Sequence, residues 1–229
     1  MSISFDFAIH NIGIHIPPVT GLHCGCGANW KQGWLNTDSE TFVGNNQIET
    51  APDGLYAPFG YEHCDFYYLQ HDATRPFPIP DSLFGHCYSE HFIEHLTRDQ
   101  GVFFLQEMHR LLQPGGVLRI STPDLHANLA LFSQEDPATF AQQVALLEGR
   151  VPAHFIRNRA FMVNQMFYFW GHQWIYDFED LALLLEQAGF PTSGIHRRAF
   201  REGLIAEVER LDQEERRPES LYVEAIKAA

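Results

Sequence analysis

The 229-residue chain predicts a single α/β domain built around a mostly parallel sheet, and three observations predict it. Short apolar runs alternate with segments of helical period, the pattern in which each helix returns the chain to the same end of a parallel sheet. A glycine turn, Cys24-Gly-Cys-Gly27, follows one apolar run, and an acid, Asp38, ends the next. Such a pairing builds a ligand crevice at the carboxyl ends of strands. Hydrophobic residues make up 45% of the chain and charged residues 19%, ordinary proportions for a soluble chain with one sizeable core.

The elements follow in order. Residues 1–20 read as an N-terminal arm with an edge strand, since Pro17-Pro18 break its alternation. A buried strand over Leu22–Cys24, the glycine turn, a very short crossover and a second strand ending at Asp38 come next. The Gly-, Asn- and Pro-rich stretch 39–65 is longer than most connections in compact domains, and a helix is expected in it around Ile48 to Ala57. Phe66 to Gln70 is a third strand, after which Pro76, Pro78 and Pro80 impose an extended loop. Leu83 to Ser89 is a fourth strand.

Thr97 and Gln100 form a capping-box pair at the start of a helix. Phe104, Met108, Leu111 and Leu112 repeat at helical spacing until Pro114-Gly115-Gly116 stops the helix. Val117 to Ser121 is a fifth strand. Residues 125–175 read as a helical insert that ends in dense aromatics. Asp177 then caps a helix whose Leu181, Leu184, Leu185 and Ala188 share one face, with Gly189 as its stop. Two last strands are expected near Gly194 to Phe200 and Ser220 to Ile226.

Charge narrows the partners. With 29 acidic against 15 basic residues the net charge is −14, a field that repels phosphate backbones and argues against nucleic acid or an anionic membrane. No apolar run reaches membrane-spanning length, so no membrane insertion is expected. The first residues lack the basic-then-apolar order of a signal peptide. Cysteines 24, 26, 64 and 87 follow no disulfide framework, and reduced thiols in a cytoplasmic protein are the simplest reading. Cys24 and Cys26 have no second pair at zinc spacing.

The crevice selects its ligand by what it lacks. A dinucleotide fingerprint needs a third glycine where Trp30 stands, and its acid about 20 residues on, whereas Asp38 comes eleven after Gly27. A phosphate-cradling lysine is absent from the turn as well. A nucleoside without pyrophosphate fits, and S-adenosylmethionine is such a molecule. Asp38 suits a ribose diol because a carboxylate offers about four lone-pair sites.

Six segments, in order, resemble one family. They are Leu22-His-Cys-Gly-Cys-Gly27, Gly33-Trp-Leu-Asn-Thr-Asp38, His71 through Ser82, Tyr88-Ser-Glu-His-Phe-Ile-Glu-His-Leu96, Leu111 through Asp124, and Tyr176 through Phe190. The chain is similar to class I S-adenosylmethionine-dependent methyltransferases of the type 11 group. The resemblance implies a Rossmann-like three-layer sandwich with a mostly parallel seven-stranded sheet and an antiparallel final hairpin. It implies that Gly25, Cys26 and Gly27 pack against the methionine part of the cofactor and that Asp72 with Ala73 reads adenine. Ser89, leaving the fourth strand, completes the expected cofactor set. The family often places an acid two residues before the first glycine, where this chain has His23.

Methyl transfer to a hydroxyl or amine gains from a base that takes the acceptor's proton, and His91 is the candidate because histidine titrates near neutrality. A purely structural His91 is the competing reading. His172, Trp174 and Tyr176 are expected to line an acceptor pocket suited to a small or glycan-like molecule. Two other function classes remain open: a non-catalytic cofactor-binding scaffold, and a zinc hydrolase built on His91-Phe-Ile-Glu94-His95, which spells the inverted zinc-protease motif. That motif needs a continuous helix, and no metal is expected. Glu94 and His95 then serve to cap or pin a short helix.

Overall fold

The computed structural model describes residues 19–39, 67–133 and 159–229, with short stretches at 7–8, 15–16, 48–50, 56–58, 141 and 144–145. The strands are β1 (Phe7–Ala8), β2 (His15–Ile16), β3 (Leu22–Cys24), β4 (Leu35–Asp38), β5 (Ile48–Thr50), β6 (Tyr56–Pro58), β7 (Tyr67–Gln70), β8 (Phe84–Glu90), β9 (Leu112–Pro123), β10 (Ile195–Arg198) and β11 (Ser220–Ile226). The helices are α1 (Arg98–Leu111), α2 (Leu125–Ser133), α3 (Arg159–Tyr168), α4 (Phe178–Gln187) and α5 (Val208–Leu211).

One sheet runs in the order β10-β11-β9-β8-β3-β4-β7-β6-β5. Its first seven strands are the expected class I arrangement. β3, β4, β7, β8 and β9 pair in parallel, and β11 runs antiparallel between β9 and β10. The chain leaves β3 to one side for β4 and β7 and later returns on the other side for β8 and β9. The carboxyl ends of β3 and β8 therefore face the switch point where such sheets bind ligands.

Where a helix is expected around Ile48 to Ala57, the described residues form two strands. β5 pairs antiparallel with β6, and Tyr56 pairs with Tyr68 of β7, so this pair extends the sheet past its expected edge. Ile48, Thr50 and Tyr56 have strand-forming side chains, and Pro52-Asp-Gly54 has turn chemistry. Together these outweigh an apolar pattern too short to specify a helix. In the N-terminal arm β1 pairs with β2 as a separate small sheet, and the remainder of residues 1–18 lies outside the described residues. Of the 125–175 insert, α2 and α3 are described, and both are helical as expected.

Strand alternation divides the core. Leu22, Cys24, Leu35, Cys87, Leu118, Ile120, Leu221 and Val223 join Phe104, Met108, Leu181 and Leu184 of α1 and α4 in one apolar cluster. The predicted caps start these helices. Thr97 and Gln100 exchange hydrogen bonds at α1, and the Asp177 carboxylate accepts from Asp180 N at α4.

The other face is polar yet buried. Register places Asn36, His23, Tyr88, Arg119 and Glu224 side by side across β4, β3, β8, β9 and β11, and each is fully or almost fully buried. Burying such groups is tolerable only when they are paired. Arg119 is: it donates to Asp212 at 2.9 and 2.6 Å and to the Glu202 carbonyl at 3.0 Å, with Glu224 at 3.4 Å. These bonds draw residues 199–212 over the sheet, where Ile205 and Leu211 pack with Trp34, Tyr88 and Val117. No helix among the described residues is long and apolar enough to cross a membrane.

Candidate functional site

The glycine turn is held by the strand that follows it. Gly25 N and Cys26 N both donate to the Thr37 carbonyl, at 2.9 and 3.1 Å. Gly27 N donates to Asp38 Oδ2 at 2.9 Å, while Asp38 Oδ1 accepts from Ser39 N at 2.8 Å. Gly25 and Gly27 adopt φ of 67° and 50°, left-handed conformations in which a side chain is strained. At Gly25 a Cβ would also enter the Phe92 ring.

The crossover from β3 to β4 contains no helix, shorter than parallel strands usually need. Asn36 takes over the missing helix's hydrogen bonding. Its Oδ1 accepts from Lys31 N at 2.7 Å, and its Nδ2 lies within bonding distance of the Lys31, Trp34 and Tyr67 carbonyls. His23 Nδ1 sits 3.0 Å from the same Asn36 Oδ1, with burial lowering the His23 pKa to about 3. His23 thus faces the polar side of the sheet rather than the crevice.

A cavity of about 290 Å³ opens beside the turn. Of the cofactor residues expected from the sequence, Gly25, Asp38, Asp72 and Ala73 line it; Thr37, Ser39, His71, Thr74, Phe92, His95, Leu96 and Gln100 also contribute. Asp72 Oδ1 accepts from Thr74 N and Thr74 Oγ1 at 3.0 and 2.7 Å; these bonds hold the carboxyl below its ordinary range. Thr37 Oγ1 is buried at this wall with no partner among the described residues. Three expected residues do not line the cavity. Cys26 and Gly27 shape the turn from behind, burial pushing the Cys26 thiol well up. Ser89 is fully buried between β3 and β9.

A second cavity, of about 270 Å³, lies next to the first. Its walls include His91, Glu94, His95, Gln165, Met166, Trp170, His172, Arg216 and Glu219. His95 lines both cavities. Of the aromatic trio expected here, His172 is present. Trp174 instead donates to Asp180 Oδ2 at 2.6 Å under the Arg98 guanidinium, and Tyr176 is buried in the core beneath α1. The backbone explains the delivery of His172: Gln173 N and Trp174 N donate to the Glu94 carbonyl at 2.7 and 3.2 Å, fastening the insert's end to the short turn that follows β8.

His91 sits at φ 48°, a strained conformation for a side-chain-bearing residue. Ser220 Oγ donates to the Arg216 carbonyl at 2.7 Å, and His91 Nε2 lies 2.6 Å from that Oγ. Since the hydroxyl has a single proton, Nε2 is the donor in this contact. His91 Nδ1 lies 3.4 Å from Glu94 Oε1; against the upward push of burial, this contact helps hold the Glu94 carboxyl below its ordinary range. Only Ile93–His95 are helical, as one 3₁₀ turn, so the inverted zinc-protease motif lacks its continuous helix.

The sequence signals for Thr37 and Phe92 are adjacency alone: each neighbours a residue singled out above, and strand-end geometry decides which of two neighbours faces the crevice. His95 carries the signal of the His91-x-x-Glu94-His95 motif, which implies a cap or pin and not a cavity wall.

Residues 22–120 match a family model described as a methyltransferase domain. No curated protein matches the chain. Among solved structures, a SAM-dependent methyltransferase from Archaeoglobus fulgidus is similar at 15% identity and a TM-score of 0.50, covering 90% of this chain and 85% of that one. An S-adenosylmethionine-dependent methyltransferase from Mesorhizobium loti is similar at 16% identity and 0.50, covering 94% and 92%. At such identities the likeness is one of fold.

Proposed function

We propose, from the premise that this chain carries a type 11 methyltransferase domain in a class I methyltransferase fold, that it transfers the methyl group of S-adenosylmethionine to a hydroxyl or amine of a small or glycan-like acceptor. The observation that supports this most is the shared wall: His95 borders both the cavity beside the glycine turn and the second cavity. Two ligand spaces separated by one side chain are what an in-line transfer between two molecules requires.

The first cavity fits S-adenosylmethionine by its donor set. Asp38 has lone pairs beyond those used by Gly27 and Ser39 for a ribose hydroxyl. Asp72 and Ala73 stand at the same wall for the adenine edge, and the unpartnered Thr37 hydroxyl awaits a polar atom. The bound cofactor supplies a methyl group already activated on a sulfonium, leaving the protein to align, exclude water and manage one proton. Phe92, packed on Gly25, seals the floor. His91 lines the second cavity and is the candidate to take the acceptor's proton. Trp170 gives the second cavity an aromatic surface among polar groups, a combination suited to a sugar-like acceptor.

The test is calorimetric titration with S-adenosylmethionine and S-adenosylhomocysteine, followed by labelled-methyl transfer to panels of hydroxyl and amine acceptors. Binding near micromolar, about −8 kcal/mol, with transfer to at least one acceptor is expected. Folded protein that binds neither compound rules the reading out.

A further inference from the structure

We propose that the second cavity is a divalent-cation site, formed by Glu94, His95 and His172, that holds the acceptor's oxygen; the acceptor's part in this rests on the methyl-transfer reading above. One donor atom from each of these residues lies within 4.8 Å of the others, and all three line the cavity. Two imidazoles and one carboxylate are the ligand type of open Zn²⁺, Mn²⁺ and Fe²⁺ sites.

Each member is prepared for a cation. His172 Nδ1 lies 2.5 Å from the Met166 carbonyl, which can only accept, so the proton sits on Nδ1 and the Nε2 lone pair is free. An imidazole N–H on a backbone carbonyl is the usual outer support of a metal-binding histidine. Glu94 is fully buried; its Oε2 accepts from Thr122 at 3.0 Å, while Oε1 has no hydrogen-bond donor among the described residues. His91 Nδ1 lies 3.4 Å away. A fully buried carboxylate oxygen without a hydrogen bond is costly, and a cation in the cavity satisfies it. His95 is exposed, its ring meeting the His172 ring edge-on with centroids 5.0 Å apart. Donors around an ion at about 2.1 Å span at most about 4 Å, so a small turn of His95 closes the set.

The site leaves coordination positions open for a hydroxyl, or a vicinal pair of hydroxyls, from the acceptor. A bound hydroxyl loses its proton more readily. That proton leaves for solvent water in the open cavity as the oxygen forms its bond to the methyl carbon. The carbon–sulfur bond breaks, and sulfur keeps the electron pair as a thioether.

Metal-stripped protein titrated with MnCl₂ and with ZnCl₂, using equilibrium dialysis and elemental analysis, is expected to take up one equivalent of at least one ion. His172→Ala and the exposed His95→Ala should each weaken uptake about tenfold or more, with circular dichroism unchanged. Failure to bind either ion, or uptake by both variants equal to that of the parent, overturns the site. Titration of the metal-free protein with S-adenosylhomocysteine separates the two readings. Binding of that compound without metal uptake removes the cation site alone. Metal uptake without its binding supports the site and removes the methyl-donor reading.

Discussion

The Asp38 carboxylate accepts a 2.9 Å hydrogen bond from Gly27 N, eleven residues back across the turn. The acid expected to face a ribose is thus also the peg on which the glycine turn hangs.

These two duties separate in variants. Asp38→Asn keeps an acceptor oxygen for Gly27 but loses the charge and half the acceptor capacity. Its affinity for S-adenosylhomocysteine should fall by about 1.5–3 kcal/mol, with little change in melting temperature. Asp38→Ala leaves Gly27 N without its partner and should add a stability loss of about 1 kcal/mol. Calorimetry alongside thermal melts checks both; an Asn variant with undiminished affinity removes the ribose assignment.

Arg119 carries a different risk. It is fully buried against Asp212 and Glu224, themselves fully buried. Its charge is retained because the pull of these carboxylates outweighs the cost of burial, holding its pKa above the ordinary value. Arg119→Met leaves buried Asp212 without its cation and Glu224 with Arg198 alone, and should cost about 3–5 kcal/mol in urea unfolding. Adding Asp212→Asn should restore part of the loss, the sign of a coupled pair.

His23 makes stability depend on pH in a set direction. Folding lowers its pKa from 6.5 to about 3, so between these values the unfolded chain binds a proton that the folded chain refuses. The contribution of neutral His23 is complete above pH 6.5 and is lost as pH falls, at about 1.4 kcal/mol per pH unit once the unfolded group is charged. In denaturant titrations from pH 7 to pH 4, His23→Gln should show a shallower decline than the parent. Parallel declines would mean that His23 is protonated in the fold.

Much of this architecture is legible in the chain. The glycine turn, the capping pair at Thr97 and Gln100, the Asp177 cap and the final strand over Ser220–Ile226 all occur where local chemistry places them. What escaped depends on partners distant in sequence. β5 and β6 are strands because a neighbour, Tyr68, offers an edge, and a window of ten residues has no knowledge of that. Ser89 stands beside crevice residues in sequence, yet parallel pairing with Cys24 and Ile120 encloses it. His95 was read as a helix pin and proves to be the partition between cavities. Arg119 stands in mid-strand with no local partner, and Asp212 reaches it from 93 residues away.

The strand order has a consequence for synthesis. β10 has its sheet partner in β11, and β11 alone fills the edge of β9 on that side. While a nascent chain emerges, the glycine turn and its Asp38 peg can assemble early from neighbouring segments. The β9 edge stays open until residues 220–226 clear the ribosome, and until then Arg119 lacks Glu224. Stalled or clipped chains of this kind present an unpaired strand beside a buried cation that has Asp212 but not Glu224. Those are the species most prone to non-native strand pairing, so translation through the last strand, more than formation of the ligand crevice, sets when the molecule becomes safe from aggregation.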